Sequence, residues 1–485
     1  MRISDLIRLG QRYLTLGIVA ALVVAIAFLA GYFILYRKIL KGQKKLNLTR
    51  FLWWAVFLSY LTVILGVTLM ERGGFWQNGK IQPLFYSYRD AWADFSAASW
   101  RNIILNICMF IPFGFLLPLG FHFFRKFWKT YLAGFVLTAI IEFTQLFLSR
   151  GVFELDDLLH NTVGTMIGYG VFALFSAVAV HAKKSAKEDI LPGKKKRIAF
   201  PGIFALQLPL IITIVTFSTI FITYGQQELG NDNYQYVIKY DSDQVQVTTN
   251  EDYSKENGTL PVYKVPTLSK DETIEFAAHL FQELGTDIDE SRNDFYENTA
   301  VFWAFDRYSL WIDYAGGSYS LTDFDITFPE EEEGQESVNM VTDASEKEIR
   351  KALLKYDVEI PKEAEFDILE SGNYQFHADQ LSEGNTITDG YLTCDYYDNG
   401  CCANIDNKIV TCDFYKDFST ISEQEAYEKI CAGEFRYAES GKLNIEAGVC
   451  RIVYDMDSKG FYQPIYLFSC NINGEEAEIG IPAIK

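Results

Sequence analysis

Six stretches within the first 224 residues are each apolar for about 20 residues, the length that spans the hydrocarbon core of a bilayer as a helix. They fall at 14–36, 51–70, 103–121, 128–148, 158–180 and 203–224. Hydrocarbon offers no partner to a backbone N–H or C=O, so segments of this kind must close their own hydrogen bonds as helices. A bundle of about six membrane helices is therefore expected. The first stretch has no small-residue cleavage site after it; Arg37, Lys38 and Lys41 follow instead, which predicts an anchor and not a removable signal.

Charge divides the chain at the same place as hydropathy. Residues 1–224 carry 24 Lys+Arg against 10 Asp+Glu, and residues 225–485 carry 19 against 53, so the halves have net charges of +14 and −34. Such asymmetry predicts two environments. The acidic half excludes nucleic acid as a partner, because it repels the phosphates that supply most of the affinity. Basic residues set the orientation of the basic half. Six lie in 37–50 with no acid among them, Arg125, Lys126 and Lys129 lie in the third-to-fourth connection, and seven lie in 183–197. These three connections alternate along the chain as cytoplasmic loops of a six-helix protein must. The N-terminus, with Arg2, Arg8 and Arg12, then lies outside against the rule, and the C-terminal half lies outside the cell. The expected organisation is an anchor and basic loop over 1–50, a bundle over 51–182, a basic loop and last helix over 183–224, and an acidic extracytoplasmic domain over 225–485.

That topology puts the second-to-third and fourth-to-fifth connections on the outer face, where the unusual polar residues gather. Asn102 and Asn106 share one helix face. Pro112 interrupts the hydrogen-bond ladder inside the same apolar stretch and predicts a kink. Glu142 and Gln145 lie three apart near the outward end of the fourth helix. Arg150, Glu154, Asp156 and Asp157 follow, then His160 and Asn161 at the opening of the fifth. Gly164 and Gly168, four apart, predict a close helix contact. An ionisable side chain within a span costs several kcal/mol by roughly the insertion scales, so Glu142 needs a partner or a wet cavity. The set reads as an outward-opening polar pocket formed by Asn102, Asn106, Glu142, Gln145, Arg150, Glu154, Asp156, Asp157 and Asn161. It reads alternatively as a structural salt bridge from Glu142 to Arg150 or Arg101, with Asp156 and Asp157 at a helix N-terminus favoured by its dipole.

The run from Asn106 through Pro112 and Gly114 to Pro118, then Glu142-Phe-Thr-Gln145, Arg150, Asp156-Asp157, His160-Asn161, Gly164 and Gly168, resembles the VanZ-like family over about residues 50–180. The acid this family places shortly before the aspartate pair is Glu154 here. The resemblance implies a multi-pass protein of the Gram-positive cell envelope, associated with resistance to glycopeptides such as teicoplanin. It implies no settled chemistry and no cofactor.

The C-terminal half predicts an α+β domain, one module or two related ones. Helices are expected at 270–285, 345–356 and 422–432, where Ser345-Glu-Lys-Glu and Ser422-Glu-Gln-Glu have capping-box spacing and Ser269 is a candidate N-cap. Alternating aromatic strands are expected at 299–314, 390–397, 408–415 and 464–472, with hairpin turns at Gly316-Gly317 and Asp398-Asn399-Gly400. The segment from Ser422 to Glu434 and the ending around Tyr462–Tyr466 resemble PepSY-type extracytoplasmic modules. Seven of the eight cysteines lie in this half. They predict up to three disulfides in an oxidising habitat and free thiols in an anaerobic one. No C-x₂-C pair occurs and the outer histidines are His279 and His377, so no metal site is expected. The acidic run 330–333 reads as a solvated loop.

Three functions compete. The bundle binds a lipid-linked wall precursor or an amphipathic antibiotic; or it is a membrane-embedded hydrolase or transferase on such a precursor, with Glu142 or Asp157 as general base and Arg150 steadying an anion; or the outer domain senses an extracytoplasmic protein and the bundle anchors it among membrane lipids.

Overall fold

The computed structural model describes residues 47–70, 81–148, 152–185, 200–241, 243–296, 298–328, 338–369, 373–437 and 441–485, with scattered positions between 15 and 41. The chain forms two compact units, Met1–Glu228 and Leu229–Lys485.

In the first unit, α1 (Leu48–Leu65) runs on through a π-helical turn, Gly66–Met70. Then come β1 (Ile81–Gln82), α2 (Tyr86–Asp94), α3 (Ala97–Gly120), α4 (Phe127–Phe147), β2 (Phe153–Glu154), α5 (Leu155–Ser185), α6 (Phe200–Ala205) and α7 (Leu208–Gln226). Among the described residues five helices are long and apolar enough to cross a membrane: α1 with its π-turn, α3, α4, α5 and α7. The expected first span, 14–36, is described in part: helical positions recur between 15 and 30 and a π-helical segment, Gly31–Ile39, covers its end. The expected last span is broken. Helix α6 stops before Gln207, whose Nε2 donates to the carbonyls of Gly170 (3.0 Å) and Ile203 (3.4 Å), and α7 restarts with Pro209 in its first turn. A proline belongs there because a first-turn N–H has no intrahelical partner to lose.

Helix α4 has the polarity expected of a membrane helix. Leu132, Val136, Ile140, Phe143 and Phe147 recur at helical spacing and are all exposed. Thr138, Glu142 and Gln145 occupy the opposite, buried face. Helices α3 and α5 pack at backbone contact. A Cβ at Gly164 would sit 2.0 Å from the Ile107 carbonyl oxygen, one at Gly168 2.0 Å from that of Ile111, and one at Gly114 2.0 Å from that of Thr165. The pair Gly164/Gly168 thus makes the close contact its spacing predicts.

Pro112 stands inside a continuous α3. The repair comes from another helix. The Tyr60 hydroxyl of α1 donates to the Met109 carbonyl at 2.8 Å and accepts from the Phe113 N–H at 3.1 Å. Those two groups would bond each other in a regular helix, so a side chain is inserted into the ladder.

The second unit is built on a 14-stranded sheet. Its central path runs from Val245–Thr249 through Leu443–Met456, Phe461–Ile472, Thr259–Lys264, Val410–Ser419 and Thr386–Tyr396 to Cys402–Asn407, then Tyr319–Asp323, Tyr308–Asp313 and Thr299–Ala304. Helices Lys270–Glu283, Glu346–Leu353 and Glu423–Cys431 each open with a complete capping box, Ser269/Glu272, Ser345/Glu348 and Ser422/Glu425. Each is followed by antiparallel strands, so the helix-then-strands order recurs three times. Two cores result, one around Phe281, Phe302, Tyr374 and Phe376, the other around Ile430, Phe435, Phe468 and Ile479. The expected single strand over 299–314 is a hairpin, Thr299–Ala304 against Tyr308–Asp313. Its turn is made by Phe305 at φ 53°, and Arg292 Nη1 holds the Phe305 carbonyl at 2.7 Å. A bulky residue in the left-handed region carries no turn signal in sequence. All eight cysteines are unbridged. The run 330–333 lies outside the described residues.

The acidity of this unit has an energetic consequence. Burial, reinforced by the Asp389 charge, raises the carboxyl of Asp455 above the usual aspartate range, and burial raises Asp389 itself. The folded state therefore holds protons that the unfolded chain releases, and stability falls as pH rises from the unfolded aspartate pKa of about 3.9 through the raised folded values. Asp455→Asn should melt higher than the native chain at pH 7, with the advantage vanishing at acid pH. Equal melting curves at both pH values would refute this account.

Candidate functional site

The connections between spans assemble the site. Strand β2 pairs in parallel with β1, Ile81 against Phe153 and Gln82 against Glu154. This brings the start of α2 to the start of α5. The Asp156 carboxylate, 1 % exposed, accepts from the Phe85 N–H at 2.6 Å and the Ser87 N–H at 2.7 Å. It caps the N-terminal turn of α2 across 69 to 71 residues of sequence. Helix N-terminal amides favour a carboxylate there. Asp156 stands in the first turn of α5, as expected, and caps α2 as well.

Asp157 faces the interior. Its Oδ1 accepts from Asn106 Nδ2 of α3 at 2.7 Å and lies 3.8 Å from His160 Nδ1. The His160 ring stands edge-on to Tyr88 of α2, with ring centroids 5.2 Å apart. Opposite, α4 presents Thr138, Glu142 and Gln145 to α5. Glu142 Oε2 accepts from the Glu154 N–H at 3.2 Å. Gln145 Nε2 donates to the Thr68 carbonyl at 2.8 Å, a group delivered by the π-turn of α1. Asn161 Nδ2 donates to Thr138 Oγ1 at 2.8 Å, and the Thr138 hydroxyl donates in turn to the Asp157 carbonyl at 3.5 Å. Glu142, Gln145, Asp157, His160 and Asn161 are all at least 96 % buried. They form a polar seam between α4 and α5. From Thr138 to Gln145 it is seven residues long, about 10 Å at the helical rise.

Of the residues expected to form a pocket, the structure brings together Asn106, Glu142, Gln145, Glu154, Asp157 and Asn161, with Asp156 at the edge holding α2. Asn102 is exposed one turn away. Arg150 lies outside the described residues, so the salt bridge expected from it is not described; the alternative partner, Arg101, forms no ion pair among the described residues. Sequence reasoning missed Thr68, Thr138 and Tyr88. Thr138 was legible as the residue one turn before Glu142 on the same face, whereas Thr68 and Tyr88 reach the site only through tertiary contacts.

Residues 51–176 match the family model described as VanZ/LLP1. This segment is a VanZ-like domain. It begins in α1, ends in α5 and contains every residue of the seam, leaving α6, α7 and the second unit outside. No curated protein matches the chain.

Several polar atoms of the VanZ-like domain are buried without a hydrogen-bond partner: Gln145 Oε1, Asn161 Oδ1, both ring nitrogens of His160, Thr162 Oγ1, Trp100 Nε1 and Arg101 Nε. Each buried orphan costs about 1–3 kcal/mol. Their concentration in one domain marks a place where the fold forgoes stability. No group of three or more His, Cys, Asp or Glu is arranged to hold a metal ion among the described residues. A cavity of about 620 Å³ lies elsewhere, in the second unit, lined by Glu251, Glu446, Glu476 and Glu478 with small residues between them. It shares no residue with the seam.

Proposed function

We propose that the VanZ-like domain binds an amphipathic molecule of the Gram-positive cell envelope, a lipid-linked wall precursor or a teicoplanin-type glycopeptide, in the polar seam at the outer leaflet. The observation that carries this reading is the inversion of α4: apolar toward lipid, and carrying Glu142 and Gln145 into a fully buried seam opposite Asp157 and Asn161. Ionisable groups at such depth are expensive and mark ligand or ion pathways. An anchor has no use for them. Binding is favoured over turnover because both nitrogens of His160 lack a hydrogen-bonded hydroxyl or thiol to activate. The basic bias of the connections supports an orientation with the acidic second unit outside the cell, and on that reading the unit, with its PepSY-like features, offers a surface to an extracytoplasmic protein partner.

The test is resistance. Full-length chain expressed in a susceptible Gram-positive host should raise the inhibitory concentration of teicoplanin several-fold. The double variant Glu142→Gln/Asp157→Asn, which keeps shape while removing both charges, should abolish the rise at equal membrane abundance. An unchanged inhibitory concentration with the native chain, or full activity in the variant, would overturn the assignment of function to the seam.

A further inference from the structure

The sheet of the second unit has a gap along one of its edges. Strand Leu443–Met456 pairs on one side with Phe461–Ile472, from Ile445 to Met456. On its other side Val245–Thr249 covers it only as far as Ala447. Just beyond, the Tyr253 hydroxyl donates to the Gly448 carbonyl at 2.7 Å. At the far end a side chain takes the place of a strand. Gln380 Nε2 donates to the Tyr454 carbonyl and Gln380 Oε1 accepts from the Tyr454 N–H, both at 2.9 Å. An amide that bonds both backbone groups of one residue reproduces a rung of a β-ladder. Gln380 reaches it from a bulge between Ala378 and Leu381, at φ 50°. The fold therefore closes this edge at Tyr454 and leaves the stretch before it open.

Backbone groups alternate in direction along an antiparallel strand. Tyr454, opposite Pro464, turns its N–H and C=O away from Phe461–Ile472, so Ile452 and Cys450 turn theirs to the same open side. No strand pairs with them there among the described residues. Val449 is 63 % and Ile452 43 % exposed. Two rungs of ladder thus stand open between Tyr253 and Gln380, a template for an extended segment. The cavity lined by Glu251, Glu446, Glu476 and Glu478 also includes Ala447 and Gly448, so it borders the gap. Arg451 engages Glu478 at 2.9 Å, while Glu251, Glu446 and Glu476 form no ion pair among the described residues. The net charge of −34 over 225–485 opposes a second copy at this edge and favours a cation. We propose that the open edge at 450–452 takes up an extended segment of a protein partner as an added strand, with a lysine or arginine of that segment in the acidic cavity. This inference rests on the reading of the second unit as a partner surface and adds the place and chemistry of docking.

The experiment uses the full chain in nanodiscs of phosphatidylcholine, which carry no net charge, and fluorescent peptides followed by anisotropy against empty nanodiscs. The probes are a hexapeptide alternating lysine and valine, its glutamate counterpart, and two N-methylated forms, one on the lysine amides and one on the valine amides. The native chain should bind the lysine peptide at least tenfold more tightly than the glutamate peptide. One methylated form, whose methyl groups face the edge, should lose at least tenfold, and the other should bind like the parent. Ile452→Pro removes an N–H that no strand uses, a place where a sheet edge tolerates proline, and should lose the lysine peptide to the same degree. The two methylated peptides on the native chain decide the matter even if that variant does not fold. Equal binding of both methylated forms and the parent would overturn the added strand and leave the acidic surface as the partner's contact. No binding above empty nanodiscs would overturn the strand site and the cationic partner together. Dimerisation of the native chain in detergent that Ile452→Pro abolishes, measured by light scattering, would give the edge to a second copy and overturn the peptide.

Discussion

Gly164→Val should dismantle the membrane unit. The new Cβ would stand 2.0 Å from the Ile107 carbonyl oxygen and 3.1 Å from the Phe110 side chain, and no rotamer relieves a clash with backbone. Helices α3 and α5 must separate, losing a contact in which Gly114 and Gly168 also place carbonyls at 2.0 Å from where a Cβ would be. Overpacking typically costs about 1–3 kcal/mol, and this site belongs at or above the top of that range because the obstacle is backbone on both sides. Helix association in lipid depends on close packing and has little hydrophobic drive to compensate. Unfolding in mixed detergent, followed by circular dichroism, should show the variant collapsing far earlier than the native chain. Gly225→Ala, where nothing lies within 4 Å, should behave as native. If Gly164→Val and Gly225→Ala unfolded alike, the α3–α5 contact would not hold the unit together.

Asp156→Ala should release α2. Two backbone N–H groups, those of Phe85 and Ser87, lose a charged acceptor at 2.6 and 2.7 Å. Hydrogen bonds to charged groups contribute about 1.5–3 kcal/mol each. Phe85 also sits at φ 67°, a conformation that a phenylalanine holds only under constraint. Hydrogen exchange over 85–94 should accelerate by orders of magnitude in Asp156→Ala and stay near native in Asp157→Asn, which lies next in sequence and faces Asn106 instead. Similar exchange in the two variants would remove the distinction drawn here between the neighbouring aspartates.

Those neighbours show how much was legible in sequence. Membrane helices announce themselves by unbroken apolar length, and α1, α3, α4 and α5 fall close to their expected positions because no tertiary contact is needed to make them helical. The three capping boxes of the second unit are equally local, and each helix begins where its serine predicts. Identity of the polar residues was legible for the same reason: Glu142 and Gln145 stand out against an apolar helix. Their partners were not. Nothing local in Asp156 says that it will hold Phe85 and Ser87, and nothing in Thr68 says that a π-turn will present its carbonyl to Gln145. The hairpin at Phe305 was read as one strand because its turn is stabilised by Arg292 from outside the hairpin and not by the glycine or asparagine that turns ordinarily use. Local signals set the elements; the site arises from contacts dozens of residues apart.

The Tyr60 hydroxyl lodged between Met109 and Phe113 bears on biogenesis. A segment carrying Pro112 leaves polar backbone unpaired at mid-helix, for which hydrocarbon offers no partner. Helix α1 emerges from the ribosome first and carries the group that completes it. The segment that supplies the bridging hydroxyl thus precedes in the chain the helix whose ladder it bridges.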